Sequence, residues 1–167
     1  HAPTVAGLAT SFGSGAMTNS FADFKKARMI VLVGTNMTEA HPVASTFVKD
    51  AVLNGAELIV IDPRRTELAR MASLHVPLKV GSDVALINAL MNVLIGENLY
   101  DREYVESCTT GFEELKAKVM EYPPERAAEI SGIPAEAIRD LARRLASIKP
   151  AMLMYTLGIT EHICGVN

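Results

Sequence analysis

The stretch Arg28–Arg65, RMIVLVGTNMTEAHPVASTFVKDAVLNGAELIVIDPRR, decides the fold. Met29-Ile-Val-Leu-Val33 is a continuous apolar run closed by Gly34, the pattern of a central parallel strand buried on both faces. Pro42 suits a first helical turn, where its missing N–H leaves nothing unpaired. Val43, Phe47, Val48, Ala51 and Val52 recur at helical spacing, and Gly55 ends the helix. Leu58-Ile-Val-Ile61 reads as a second strand that stops at Asp62-Pro63. Parallel strands joined by a helix leave their carboxyl ends on one edge of the sheet, where open α/β sheets bind ligands. Gly34-Thr35-Asn36 and Asp62-Pro63-Arg64 are therefore expected to line one crevice.

That crevice suits a nucleotide, but not by the usual recipe. In place of the G-x-G-x-x-G fingerprint, the first strand is followed by Gly34-Thr-Asn-Met-Thr-Glu39. Asp62 stands where an acidic side chain would hold a ribose hydroxyl, yet it comes 28 residues after Gly34 rather than about 20. An ordinary nicotinamide site is disfavoured. Turn residues closing a parallel strand pair are the plainer alternative from this stretch alone.

Working outward, Pro3 is placed for a helix start within residues 1–10, and Phe12-Gly-Ser-Gly-Ala16 is a tight glycine loop. Ser20 is expected to cap a short helix reaching Lys26. Beyond the central unit, Thr66–Ala72 reads as a short helix and His75–Lys79 as a third strand, marked as an edge by Pro77. His75 reads as a packed residue rather than a ligand. Gly81-Ser82-Asp83 opens a helix with Ser82 as N-cap and Leu86, Ala89, Leu90, Val93 and Leu94 as its buried stripe. Asp83 complements the helix dipole and, placed after a strand end, also faces the ligand edge.

Thr110–Glu113 has the form of a capping box, Tyr122-Pro-Pro124 breaks that helix, and Pro134 starts another with Ile138, Leu141, Ala142 and Leu145 inward. Arg139, Arg143 and Arg144 then form a solvated face. Ala151-Met-Leu-Met-Tyr155 is a fourth strand, followed by Thr156–His162. These elements imply an α/β fold, a doubly wound and mostly parallel sheet of four or more strands in an order such as 3-2-1-4. Gly34–Asn36 and Gly158 would face each other at its switch point.

Composition agrees. At 167 residues, with 49% hydrophobic and 21% charged residues, the chain is globular and of single-domain size, so residues 1–167 are expected to form one domain. A net charge of -3 gives no reason to expect nucleic acid or an anionic membrane, and no apolar run is long enough to span a bilayer. Cys108 and Cys164 are far apart and make no zinc or iron–sulfur motif, which suits reduced thiols in a cytoplasmic protein. His1 in place of Met, and Gly165-Val-Asn167 at the expected start of a new helix, suggest a piece of a longer polypeptide.

Taken together, His1-Ala-Pro-Thr-Val-Ala-Gly-Leu8, Gly13-Ser-Gly-Ala-Met17, Gly34-x-Asn36, His41-Pro42, Asp62-Pro-Arg64 and Gly81-Ser-Asp83 resemble the catalytic subunit of formate dehydrogenases. These are molybdenum or tungsten bis-pyranopterin guanine dinucleotide oxidoreductases. The resemblance covers essentially the whole chain in one motif order. It implies a three-layer αβα, Rossmann-like domain holding one molybdopterin guanine dinucleotide. It implies that His1 is the catalytic histidine, following a metal-ligating cysteine or selenocysteine that this chain lacks, so that no residue here binds the metal.

By the same resemblance Gly34, Asn36 and Glu39 flank the pyrophosphate and nucleoside, and Asp62 and Arg64 hold the nucleoside end. Asp83, on Gly81's turn, would pair the guanine N1–H and amino group. Leu157, Gly158 and Glu161 would approach the pterin, although relatives often carry Gln at the Glu161 position. The implied reaction is oxidation of formate to carbon dioxide, with electrons leaving through a 4Fe-4S cluster outside this chain. The implied partners are the rest of the catalytic subunit and electron-transfer subunits carrying iron–sulfur centres or flavin. A nitrate reductase type of the same family, or a non-catalytic nucleotide-binding module, are the alternatives.

Overall fold

The computed structural model describes residues 2–162, 165 and 166. In chain order it contains helix α1 (Ala2–Phe12), a 3-10 turn (Phe21–Lys26), strand β1 (Met29–Val33), helices α2 (Met37–Ala40) and α3 (Pro42–Leu53), strand β2 (Glu57–Ile61), helix α4 (Glu67–Met71) and strand β3 (Leu74–Val76). Helices α5 (Asp83–Gly96), α6 (Arg102–Cys108), α7 (Phe112–Val119), α8 (Pro124–Ser131) and α9 (Ala135–Ser147) follow, then strand β4 (Ala151–Tyr155) and helix α10 (Leu157–Thr160). These residues form two compact units, one of 1–77 with 149–167 and one of 78–148.

The first unit is built on a four-stranded parallel sheet in the order β3-β2-β1-β4, the order expected from the sequence. Every residue of β1 is at most 5% exposed, which is what an unbroken run of five apolar residues at the sheet centre requires. Ile30, Leu32, Leu58, Val60 and Met152 point to one face and pack with Ala44, Val48 and Ala51 of α3, Phe24 of the 3-10 turn and Leu68 of α4. Met29, Val31, Val33, Ile59 and Ile61 on the other face are buried too. The sheet is flanked by helices, as a doubly wound α/β fold demands.

The second unit is helical. α5 packs against α7, α8 and α9 through Leu86, Ala89, Leu90, Val93, Val119, Ala127, Ile138 and Leu141, all buried. Ion pairs tie its surface. Arg143 meets Glu97 with two parallel hydrogen bonds of 2.9 and 2.8 Å, and Arg139 bridges Glu125 and Glu136. The arginine face expected to be merely solvated is therefore paired, and the Arg143 hydrogen bonds hold the Glu97 carboxyl below its ordinary range.

Several local expectations are corrected. α3 turns Val43 out to 67% exposure and buries Ala44 and Ser45 instead, because small residues give the closer approach to the sheet. β3 ends at Val76, before Pro77, so the proline terminates the strand rather than lying in it. Ser82 sits at the N-cap of α5, but its hydroxyl donates to the Lys79 carbonyl at 2.5 Å and accepts no helix N–H. No capping box forms at Thr110. Gly111 takes the N-cap of α7 at φ 75, a left-handed conformation that a threonine would adopt only with strain. Ser20 does stand at the N-cap of the Phe21–Lys26 turn, as expected, and the Asp23 carboxylate reciprocates by accepting from both the Ser20 N–H and O–H, each at 2.9 Å.

Candidate functional site

Because β1, β2 and β4 run parallel and in register, Val33, Ile61 and Tyr155 end level with one another. The loops that follow leave the same edge of the sheet: Gly34-Thr35-Asn36 after β1, Asp62-Pro63-Arg64 after β2, and Thr156-Leu157-Gly158 after β4. They are stitched together through Gly34. Its N–H donates to the Ile61 carbonyl at 2.9 Å, and its carbonyl accepts the Thr156 hydroxyl at 2.8 Å. Gly34 and Gly158 lie backbone to backbone. A Cβ built on Gly158 would stand 2.5 Å from the Gly34 oxygen and 3.1 Å from its Cα.

Within this edge the polar groups divide into those spent on folding and those left over. The Asp62 side chain is mostly buried, and its Oδ1 accepts the Arg64 N–H at 2.7 Å, shaping its own turn. The Asp62 carbonyl lies 2.9 Å from His75 Nε2, so His75 braces the same turn. Asn36 occupies the N-cap of α2, yet its side chain caps nothing, and its carbonyl takes the Glu39 and Ala40 N–H groups. Arg64 and Arg65 are exposed, and their guanidinium groups make no ion pair among the described residues.

Thr35 is 2% exposed, and neither its hydroxyl nor the enclosed hydroxyl of Thr38 has a hydrogen-bond partner among the described residues. An unpaired buried hydroxyl costs about 1–3 kcal/mol, so two at one sheet edge are a mark of a ligand site.

The structure thus brings Gly34, Asn36, Asp62, Arg64, Leu157 and Gly158 to one edge. Glu39 is exposed on α2 and Glu161 exposed just past α10. Gly81 and Asp83 belong to the second unit, Asp83 half-buried in the first turn of α5. His1 lies outside the described residues, as does Cys164. Sequence reasoning put Thr35 in the crevice without giving its hydroxyl a role, and gave none to Thr38 or Thr156. The available signal was a β-branched hydroxyl directly after a strand-closing glycine, a position that buries an oxygen needing a partner. Among the described residues no group of three or more His, Cys, Asp or Glu side chains could hold a metal ion.

The family model for molybdopterin oxidoreductases matches residues 2–166. The chain belongs to the molybdopterin oxidoreductase family. It is similar to the F420-dependent formate dehydrogenase 2 subunit alpha of Methanococcus maripaludis, 47% identical over all of this chain and 25% of that protein. It is 43% identical to formate dehydrogenase H of Escherichia coli over all of this chain and 23% of that protein. The solved structure of acetylene hydratase from Pelobacter acetylenicus matches with a TM-score of 0.82 at 38% identity, over 95% of this chain and 21% of that one. This molybdopterin oxidoreductase chain therefore spans about a quarter of the length of the curated relatives it matches. Membership implies a molybdopterin cofactor, and the partnerless hydroxyls and free strand-end side chains fit one. No described helix is long and apolar enough to cross a membrane.

Proposed function

We propose that this chain is the part of a formate dehydrogenase catalytic subunit that holds one molybdopterin guanine dinucleotide, with molybdenum or tungsten carried by the pterin. The observation that carries this reading is identity of 41–47% to formate dehydrogenase alpha subunits over every residue of the chain. The strand-end geometry agrees. Gly34 and Gly158 keep the edge free of side-chain bulk, the Asn36 amide is uncommitted, and Arg64 offers a guanidinium to an anion. Asp62 holds its loop in place and has a second carboxylate oxygen left for a ribose hydroxyl.

When bound, the metal–pterin group would accept the two electrons that formate releases in becoming carbon dioxide and a proton. His1 is assigned the proton. Leu157, Gly158 and Glu161 line the pterin side, and Glu39 stands near the nucleoside. Electrons would leave through a 4Fe-4S cluster in the remainder of the catalytic subunit toward iron–sulfur or flavin partner subunits. The free Cys108 thiol suits a cytoplasmic enzyme.

The test uses the full-length subunit containing this chain. It should reduce a viologen dye with formate under anaerobic conditions and release GMP on acid hydrolysis. Absence of formate-dependent reduction sinks the substrate assignment, and absence of GMP sinks the dinucleotide. His1→Ala should cut turnover at least a hundredfold while GMP content stays near wild type, in the range expected for loss of a proton-handling group. A second reading, a family member working on another substrate, draws support from the acetylene hydratase fold. GMP release without formate oxidation would favour it.

A further inference from the structure

We propose that the Thr35 hydroxyl donates a hydrogen bond to a phosphate oxygen of the bound dinucleotide, a contact that rests on the cofactor reading above. Thr35 is 2% exposed and its hydroxyl has no partner among the described residues, although other threonines find theirs readily. Thr46 donates to Val43, Thr109 to Val105 and Thr156 to Gly34, while Thr66 accepts from Ala69. Several acceptors of the strand-end segments already serve the fold. The Gly34 carbonyl takes the Thr156 hydroxyl, the Asn36 carbonyl takes two backbone N–H groups, and Asp62 Oδ1 takes the Arg64 N–H.

A hydroxyl offers one hydrogen, and here that hydrogen finds no receiver among the described residues. Phosphate oxygens accept strongly, and the bond to an ionised acceptor is stronger than one to a neutral oxygen. The next loop supplies the matching charge through Arg64 and Arg65, whose guanidinium groups are exposed and unpaired among the described residues. Thr38, one turn further on, has the same enclosed and unpartnered hydroxyl, so the feature is local to this edge rather than an isolated packing fault.

The experiment titrates the cofactor-free full-length subunit with GDP and, separately, with guanosine by calorimetry. Valine keeps the shape of threonine and deletes only the hydroxyl. Thr35→Val should bind GDP at least tenfold more weakly, equivalent to about 1.4 kcal/mol, with guanosine binding unchanged. Thr35→Ser should stay within threefold of wild type. After expression with cofactor supplied, Thr35→Val should also release less GMP per subunit than wild type following dialysis. Wild-type GDP affinity in Thr35→Val overturns the inference, and so does an equal loss for guanosine, which would move the contact off the phosphate. Should Thr35→Val fail to accumulate as folded protein, Thr35→Ala read in the same way decides. A wild-type subunit that binds neither GDP nor guanosine overturns the dinucleotide reading itself, and this contact with it.

Discussion

Gly158 shows how a single atom sets what the site tolerates. It lies in α10, where alanine is favoured over glycine by about 0.5–1 kcal/mol on helix propensity alone. Its Cβ, however, would fall 2.5 Å from the Gly34 oxygen, closer than carbon and oxygen approach. The clash wins, because overpacking typically costs about 1–3 kcal/mol. Gly158→Ala should lower the melting temperature, while Gly96→Ala, with nothing within 4 Å of its Cβ, should leave it unchanged or raise it. Similar shifts for the two would refute the close backbone approach. Asp83 poses a parallel choice. As a helix-dipole charge alone, its loss costs about 0.3–1 kcal/mol. As the guanine's carboxylate, its loss removes two charge-assisted hydrogen bonds of about 1.5–3 kcal/mol each. We expect Asp83→Ala to empty the full-length subunit of GMP after dialysis. Full occupancy with a slightly lower melting temperature would leave Asp83 a structural role at the start of α5.

At the scale of elements, the short 3-10 turn that leads into β1 carries the clearest pH signature. The Ser20 N–H, Lys26 ammonium and Ser20 hydroxyl hold the Asp23 carboxyl at about 2, down from 3.8. A folded value below the unfolded one means that the carboxylate stabilises the turn fully above 3.8. That contribution is lost as pH falls toward 2. A carboxyl-carbon titration by NMR should place the Asp23 midpoint near 2, and a midpoint near 3.8 would show that the cap is not formed. This turn also illustrates what the sequence could disclose. Runs such as Met29–Val33 and Ala151–Tyr155, bounded by glycine and proline, made the strands and their order legible. The Asp23 half of the Ser20–Asp23 cap was not, since a carboxylate three residues past a cap can equally face water. Nor was the phase of α3, where apolar counting favoured Val43 over the smaller Ala44 and Ser45 that the sheet can approach. α2 has four residues and so no periodicity to read. The strand-end residues were legible from turn chemistry, but the close approach of Gly34 to Gly158 depends on a strand that returns only at Ala151.

At the scale of the whole molecule, the sheet is closed by that late return. β4 pairs with β1 over five residues, Met29 with Ala151 through Val33 with Tyr155, and the Arg28 N–H donates to the Pro150 carbonyl at 2.8 Å. Closing a loop of roughly a hundred residues costs about 4 kcal/mol of chain entropy, so the pairing must return more than that. It does so by satisfying one whole side of the central strand and by burying Met152. Removing residues 149–167 would leave β1, at most 5% exposed in the folded chain, as an open apolar edge. Such an edge templates pairing with other chains. We therefore expect the 1–148 chain to aggregate and to lose its cooperative melt. The isolated 78–148 segment has its own contacts among α5, α7, α8 and α9, and should retain a helical circular dichroism spectrum. A 1–148 chain that stays monomeric in size-exclusion chromatography and melts within two or three degrees of residues 1–167 would show that β4 is dispensable. The carboxyl edge would then be assembled from β1 and β2 alone, without the Gly34–Gly158 contact.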